Sequence, residues 1–397
     1  MKPLLVRAAT ATSCIGRGLA ATQATLAAGG SGLAPCAFES VTLETYVGEV
    51  AGVDEVPLPA KHSAYECRNN RLARLGLAQD GFAEALAECA ARVGGARLGI
   101  FLGTSTSGIL DTELAYRSRD AHTGALPASF RYRGAHDCYS LAAYVRAALG
   151  LAGPAAVISS ACSSSAKVFA SAQRAIAAGV VDAALVGGVD TLCLTTLYGF
   201  HSLQLVARGP CRPFDVARDG ISIGEAAAFA LLEPAAGSLD AEAVLLLGTG
   251  ESSDAYHMSA PHPEGRGARQ AMLAALAAAG CAAADVDYVN FHGTGTASND
   301  AAEALAVAAV LGRDVPGSST KGATGHTLGA AGALEAVICM QALRAGVMPG
   351  GANTATVDPA LEVTYLRESR AAPLRRVLSN SFGFGGSNCS LVFGRAG

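Results

Sequence analysis

The 397-residue sequence has no tryptophan, only 6% aromatic residues and only 16% charged ones. Sparse charge, 51% hydrophobic residues and a mean hydropathy of +0.33 exclude a disordered chain, which needs few apolar residues and high net charge. Small apolar residues (Ala, Gly, Val, Leu) supply the bulk instead and suit close packing of helices on sheets. A basic excess is missing too. The 29 basic and 33 acidic residues give a net charge of −4, so no global positive field is available to hold nucleic acid. No segment reaches the roughly 18–20 uninterrupted apolar residues of a membrane span. The apolar start at Leu4-Leu5-Val6 ends at Arg7, short of the roughly 7–15 residues of a secretory segment. The eleven cysteines are scattered, and no two have the short spacing of a zinc knuckle. That argues against a disulfide framework or a structural zinc and for a reducing, cytoplasmic setting.

What is present reads as layered α/β structure. At roughly 150 residues per domain the length allows two to three domain equivalents. Apolar runs at Leu98–Leu102, Ala155–Ser159, Ala183–Val186 and Ala227–Leu232 read as buried strands; Tyr65–Val93, Ser140–Leu149 and Ser163–Ala178 read as helices. Gly179 follows the last of these, as a left-handed helix end requires. The second half repeats the order. Ala243–Leu247 answers Leu4–Val6, a helix follows at Arg269–Ala279, and Val286–Phe291 answers Leu98–Leu102. Gly322–Ala345 answers Ser160–Ala178, and Val377–Phe393, broken by Gly383–Gly386, answers Ala227–Leu232. Two similar halves, 1–240 and 241–397, are expected to form one unit with a cleft between their sheets.

Four constellations carry chemistry. In Ser159-Ser160-Ala161-Cys162-Ser163-Ser164-Ser165 a strand turns sharply into a helix, which puts Cys162 where backbone N–H groups favour a thiolate nucleophile. His292 closes a buried strand before Gly293-Thr294-Gly295-Thr296; a satisfied core histidine would leave the same trace. In Ser319–His326, His326 begins a helix at the second half's equivalent of Cys162, where the imidazole is expected to be neutral. Lys321 and Glu335 could tie that loop to its helix, as an ordinary ion pair also would. Gly322-Ala323-Thr324-Gly325 lacks the Gly-Lys-Ser/Thr of a phosphate loop. In Asn380–Asn388, Phe384 stands in a Gly-rich hairpin where it could gate an apolar cavity and lend its N–H to an oxyanion, or be a core aromatic. One cysteine and two histidines without nearby carboxylates make a poor metal set. They suit a cysteine that carries an acyl thioester and two neutral donors that stabilise an enolate.

At these motifs, and at Arg212-Pro213-Phe214-Asp215, Arg218-Asp219-Gly220 and Ser252–Met258, nearly the whole chain resembles an elongating β-ketoacyl acyl-carrier-protein synthase of the thiolase superfamily. The resemblance implies a five-layered αβαβα fold with two pseudo-symmetric halves. It implies Cys162 as acyl acceptor, His292 and His326 in decarboxylation and condensation, Lys321 and Glu335 as a supporting pair, and Asp300 as the acidic residue after His-Gly-Thr. The N–H groups of Cys162 and Phe384 match an oxyanion hole. Thr294 and Thr296 match positions that hold a phosphopantetheine arm; Phe200, Phe384 and Thr106 match acyl-pocket or gate positions. No metal or resident cofactor is implied, because phosphopantetheine arrives on the carrier protein. The implied partners are that carrier and a second subunit, in a homodimer or in a heterodimer with a chain-length factor.

Several positions depart from the family pattern: Thr106 stands where an apolar gate is common, Ile221 replaces Phe after Arg-Asp-Gly, and Phe130–Tyr139 is unlike the usual dimer segment. These point to a specialised acyl chain, such as a polyene. Arg68, Arg71 and Arg74 cluster on a helix that could meet an acidic carrier or simply face solvent. A degradative thiolase would use a second cysteine, and a chain-length factor typically lacks the nucleophile that Cys162 provides.

Overall fold

The computed structural model describes residues 2–397. Ten of the described strands form the body of the main sheet: β1 (Leu4–Ser13), β2 (Leu98–Gly103), β3 (Ala155–Ile158), β4 (Ala183–Asp190), β5 (Ala226–Pro234), β6 (Val244–Ser253), β7 (Tyr288–Asn290), β8 (Pro316–Ser318), β9 (Arg376–Gly383) and β10 (Ser387–Arg395). The first five pair in the order β3-β2-β4-β5-β1 and the second five in the order β8-β7-β9-β10-β6, with Thr364–Tyr365 added beyond β8. Directions repeat as well. In each half the first three strands of that order are parallel and the last two antiparallel. Leu4 and Leu5 pair with Leu246 and Leu245, so the two sheets join through β1 and β6 into one path. This pairing refines one expected correspondence. Val377–Phe393 is two strands, of which β9 answers β4 and β10 answers β5.

Seven helices complete the layers: α1 (Arg68–Leu77), α2 (Phe82–Val93), α3 (Tyr139–Ala148), α4 (Ser164–Ala177), α5 (Arg266–Ala279), α6 (Ala297–Leu311) and α7 (Ala331–Ala345). Leu72, Phe82, Leu86, Leu141 and Val145 pack one outer face of the first sheet. Met272, Leu276, Ala304 and Val307 pack the outer face of the second. Val168, Phe169, Leu334, Val337 and Ile338 fill the space between the sheets. Helices, sheet, helices, sheet and helices make five layers. The segment Leu328–Ala345 has the length and hydropathy of a membrane-crossing helix, yet it is mostly buried as part of the middle layer.

Small residues set the spacing of that layer. A Cβ on Gly332 of α7 would lie 2.6 Å from the backbone nitrogen of Ala166 on α4, so the two central helices approach to backbone contact. Gly179 ends α4 at φ 68°, with Val180 N–H returning to the Ala175 carbonyl. The single helix expected over Tyr65–Val93 is instead two. Asp80 and Gly81 take φ of 56° and 66°, and the Asp80 carboxylate receives the Leu19 N–H at 3.1 Å and the Thr10 hydroxyl at 2.8 Å. Apolar periodicity runs through this break, but the polar anchoring of Asp80 decides the backbone there.

An exposed helical glycine replaced by alanine gains about 1 kcal/mol. Gly332→Ala should instead lose about 1–3 kcal/mol through overpacking against α4, read as a lower urea midpoint at unchanged slope.

Candidate functional site

Cys162 lies two residues before α4, in an elbow closed by its serines. Ser160 N–H donates to Ser164 Oγ at 2.8 Å, Ser164 Oγ to the Ala161 carbonyl at 2.6 Å, and Ser163 Oγ to the Ser160 carbonyl at 3.0 Å. Ala161 takes φ 53°, a strain of about 1–3 kcal/mol that these bonds hold in place. Gly383 of β9 abuts the elbow, where a Cβ would meet the Ser160 oxygen at 2.9 Å and the Cys162 nitrogen at 3.2 Å. The N–H groups of Phe384 and of Cys162 itself act on the sulfur and, with the charge of Lys321, favour its thiolate. Burial opposes them and wins, pushing the thiol up to about 11. Burial thus works against the thiolate expected at this helix start.

His292 follows β7 in a loop held by two buried carboxylates. Glu303 accepts the N–H of His292 at 2.8 Å and of Gly293 at 2.7 Å, and its other neighbour is Asn380 Nδ2 at 3.1 Å. Asp300 accepts the N–H groups of Thr294 and Gly295, at 3.0 and 3.2 Å, and that of Phe214 at 2.8 Å. Asp300 thus holds the loop from behind. Glu303 escaped the sequence reading, although its place on α6 one turn after Asp300 was the available signal.

Lys321 is 1% exposed and spends its three protons inside the protein. Nζ donates to the His292 carbonyl at 2.6 Å, lies 3.3 Å from His292 Nδ1, and forms an ion pair with Glu335. Because an ammonium can only donate, His292 Nδ1 is the acceptor and Nε2 keeps the proton. His326 reaches the same state differently, with Nδ1 receiving the Leu328 N–H at 3.1 Å. Burial first, then the Lys321 charge, holds both rings well below the usual histidine range, and His292 is depressed further by His326. Two neutral rings therefore present N–H donors. Their centroids are 5.3 Å apart, and Cys162 Sγ and one nitrogen of each ring lie within 4.8 Å of one another. Such compactness would also admit a cation, but the donor set does not suit one. Both Nδ1 lone pairs are engaged elsewhere, the thiol holds its proton, and a buried ammonium adds like charge.

Cys162, His292 and His326 line a pocket open to solvent, with about 570 Å³ of empty space when its mouth is included. Phe200, Thr294, Thr296 and Phe384 line it too, with Phe200 and Phe384 5.4 Å apart between ring centroids and the two threonine hydroxyls 2.9 Å apart. Ser259, Ala260, Pro261, Ser298 and Asn299 also face the cavity and were not singled out beforehand. Thr106 is not among its lining residues. It is buried, with its hydroxyl 2.7 Å from Asp190 Oδ1. The arginine cluster on α1 is likewise committed internally. Arg68 is buried and paired with Glu225, Asp54 and Glu49, Arg71 pairs with Glu66, and Arg74 donates to the Pro57 carbonyl. Helical spacing alone gave no hint of those acidic partners from distant loops.

Comparison with known proteins agrees with this geometry. Residues 70–237 match the family described as "Beta-ketoacyl synthase, N-terminal domain" and residues 243–355 match "Beta-ketoacyl synthase, C-terminal domain". The chain is 38% identical over 306 residues to "Nodulation protein E" of Rhizobium meliloti (strain 1021), covering 75% of each. It is 39% identical over 249 residues to "3-oxoacyl-[acyl-carrier-protein] synthase 2" of Mycobacterium tuberculosis, covering 59% of this chain and 60% of that one. Among solved structures, a ketosynthase in complex with its chain length factor from Xenorhabdus doucetiae matches at TM-score 0.89 and 36% identity, over 100% of this chain and 98% of that one. A β-ketoacyl synthase from Burkholderia phymatum matches at TM-score 0.87 and 29% identity, over 100% of both chains. With two similar halves meeting at one cysteine and two neutral histidines, the chain belongs to the β-ketoacyl synthase family, the acyl-transferring condensing enzymes of the thiolase fold.

Proposed function

We propose that this chain elongates a carrier-bound acyl group by decarboxylative Claisen condensation, and that the cluster of Cys162, His292 and His326 performs it. The carrying observation is that Cys162 Sγ and one nitrogen of each of two neutral imidazoles lie within 4.8 Å of one another. In the first step the thiol attacks the acyl-carrier thioester, the acyl group moves to Sγ, and the thiol proton leaves on the departing pantetheine sulfur. The N–H groups of Cys162 and Phe384 serve the oxyanion formed on the way. In the second step malonyl-carrier loses CO₂, and the two imidazole N–H groups stabilise the enolate oxygen. The enolate carbon then attacks the Cys162 thioester, forming the β-ketoacyl carrier and releasing the thiolate, which takes up a proton. No metal or resident cofactor enters the scheme.

Lys321 and Glu335 act by fixing the tautomer of His292, and Asp300 by holding its loop. Thr294 and Thr296 are suited to hydrogen-bond the amides of the pantetheine arm, while Phe200 and Phe384 wall the acyl end. The reading divides the chain at residue 240 into a half that carries the nucleophile and a half that carries both histidines. It places the enzyme in the cytoplasm, where its eleven unpaired cysteines would stay reduced. A carrier protein is the substrate-bearing partner. A two-subunit assembly fits, and the 36% identity to a ketosynthase solved with its chain length factor favours a heterodimer in a specialised pathway over a homodimer.

Incubated with acyl- and malonyl-carrier, the protein should release CO₂ and a β-ketoacyl carrier detectable by mass spectrometry. Cys162→Ala should abolish the product, and Cys162→Gln should keep decarboxylation while losing condensation. Undiminished product in the alanine variant would refute the nucleophile. Removing one partner of a buried pair strands the other charge at a cost of about 3–5 kcal/mol. Lys321→Ala should therefore lower stability by that amount. Lys321→Met with Glu335→Leu should recover most of the stability in a denaturant melt, yet leave decarboxylation defective.

A further inference from the structure

In each half a loop leaves the strand that lies between two parallel partners, β2 or β7, and reaches the catalytic cluster. In the second half Glu303 clamps it by the successive N–H groups of His292 and Gly293. The first half has a counterpart. Asp190, the last residue of β4, accepts on Oδ1 the N–H groups of Ser105 and Thr106, both at 2.8 Å, and the hydroxyls of Thr104 and Thr106, both at 2.7 Å, while Oδ2 receives Ser105 N–H at 3.1 Å. It is fully buried and forms no ion pair among the described residues. A lone buried carboxylate is costly unless donors surround it, so this one is matched to the shape of its loop.

The clamped loop touches both sides of the catalytic cluster. Ser105 Oγ donates at 3.4 Å to the carbonyl of Ala161, the strained residue before Cys162. On the other side, a Cβ on Gly329 would come within 2.6 Å of Ser105 Oγ and 2.7 Å of Asp190 Oδ2. Gly329 follows Leu328, whose N–H sets the tautomer of His326. We propose that Asp190 is a positioning residue for the acyl-transfer step, holding the Cys162 elbow and the His326 turn in register through the Thr104–Thr106 loop. Thr106 then serves this clamp and not the acyl chain.

The test rests on the ketosynthase reading only for its first assay, Cys162 acylation by an acyl thioester followed by intact-protein mass spectrometry. Because an asparagine could keep every bond made by Oδ1, the variant to use is Asp190→Ala, which removes both acceptor oxygens. Its acylation rate constant should fall about 10–100-fold, the cost of a misplacement near 1 Å, with the half-saturating thioester concentration changed less than twofold. Ser105→Ala should show a smaller loss of the same kind, and the two should be non-additive in the double variant. Wild-type acylation in Asp190→Ala, or multiplicative effects in the double variant, would overturn the proposal. If Asp190→Ala fails to fold, Ser105→Ala with Thr106→Val carries the same expectation, and wild-type rates there overturn it equally. Alkylation of Cys162 by iodoacetamide, expected to slow in the same variants, separates the two readings. A wild-type protein that is never acylated speaks against ketosynthase activity, whereas unchanged alkylation in the variants speaks against the clamp.

Discussion

A single buried ammonium organises the chemistry of this protein. Lys321 has three protons and three neighbours to take them: the carboxylate of Glu335, the carbonyl of His292 and the Nδ1 of the same residue. The first compensates its charge, the second fixes the loop, and the third determines where the imidazole proton sits. Burial raises Glu335 to about 7 while the attraction of Lys321 opposes that rise, so the pair shares a charge balance that neither residue could sustain alone. Its effect on the rings is electrostatic as well as directional. Burial disfavours imidazolium first and a positive charge this close adds to it, so His292 and His326 remain neutral donors at the pH where an ordinary histidine would be titrating.

The fold brings these groups together by repetition. Each half ends its parallel strands at the same end, and the loops that leave them meet there. One loop carries the nucleophile, held at a strained alanine by its own serines. The equivalent position of the other half carries His326, and β7 delivers His292. Contact of α4 with α7 at Gly332 and Ala166 sets how closely the halves approach, so packing in the middle layer fixes the distance between sulfur and imidazole. Burial has a second consequence. It raises the thiol, against the pull of the Phe384 and Cys162 N–H groups and of the Lys321 charge.

Much of this was legible in the sequence because it is encoded locally. Strand-turn-helix at Cys162, strand ends at His292, and Gly-rich text at Gly383–Gly386 each announce themselves within a few residues. The repeated order of strands and helices was readable for the same reason. What escaped depends on contacts between distant segments. The break at Asp80-Gly81 follows from Asp80 bonding back to Leu19 and Thr10, which periodicity cannot reveal. The arginines of α1 looked free because their partners come from other segments, such as Glu49, Asp54 and Glu225. Thr106 aligned with a gate, yet its hydroxyl found Asp190 at the end of another strand. The thiolate expected of Cys162 came from weighing backbone N–H groups without the desolvation that only the folded chain supplies.

The central claim concerns one proton on one ring. Nitrogen-15 NMR of histidine-labelled protein, with His292 assigned by comparison with His292→Gln, reads tautomer and charge directly. The account predicts a neutral ring protonated at Nε2 throughout pH 6–9, with the preference for that tautomer lost when Lys321 and Glu335 are replaced together. An imidazolium near neutral pH, or a ring protonated at Nδ1, would contradict it.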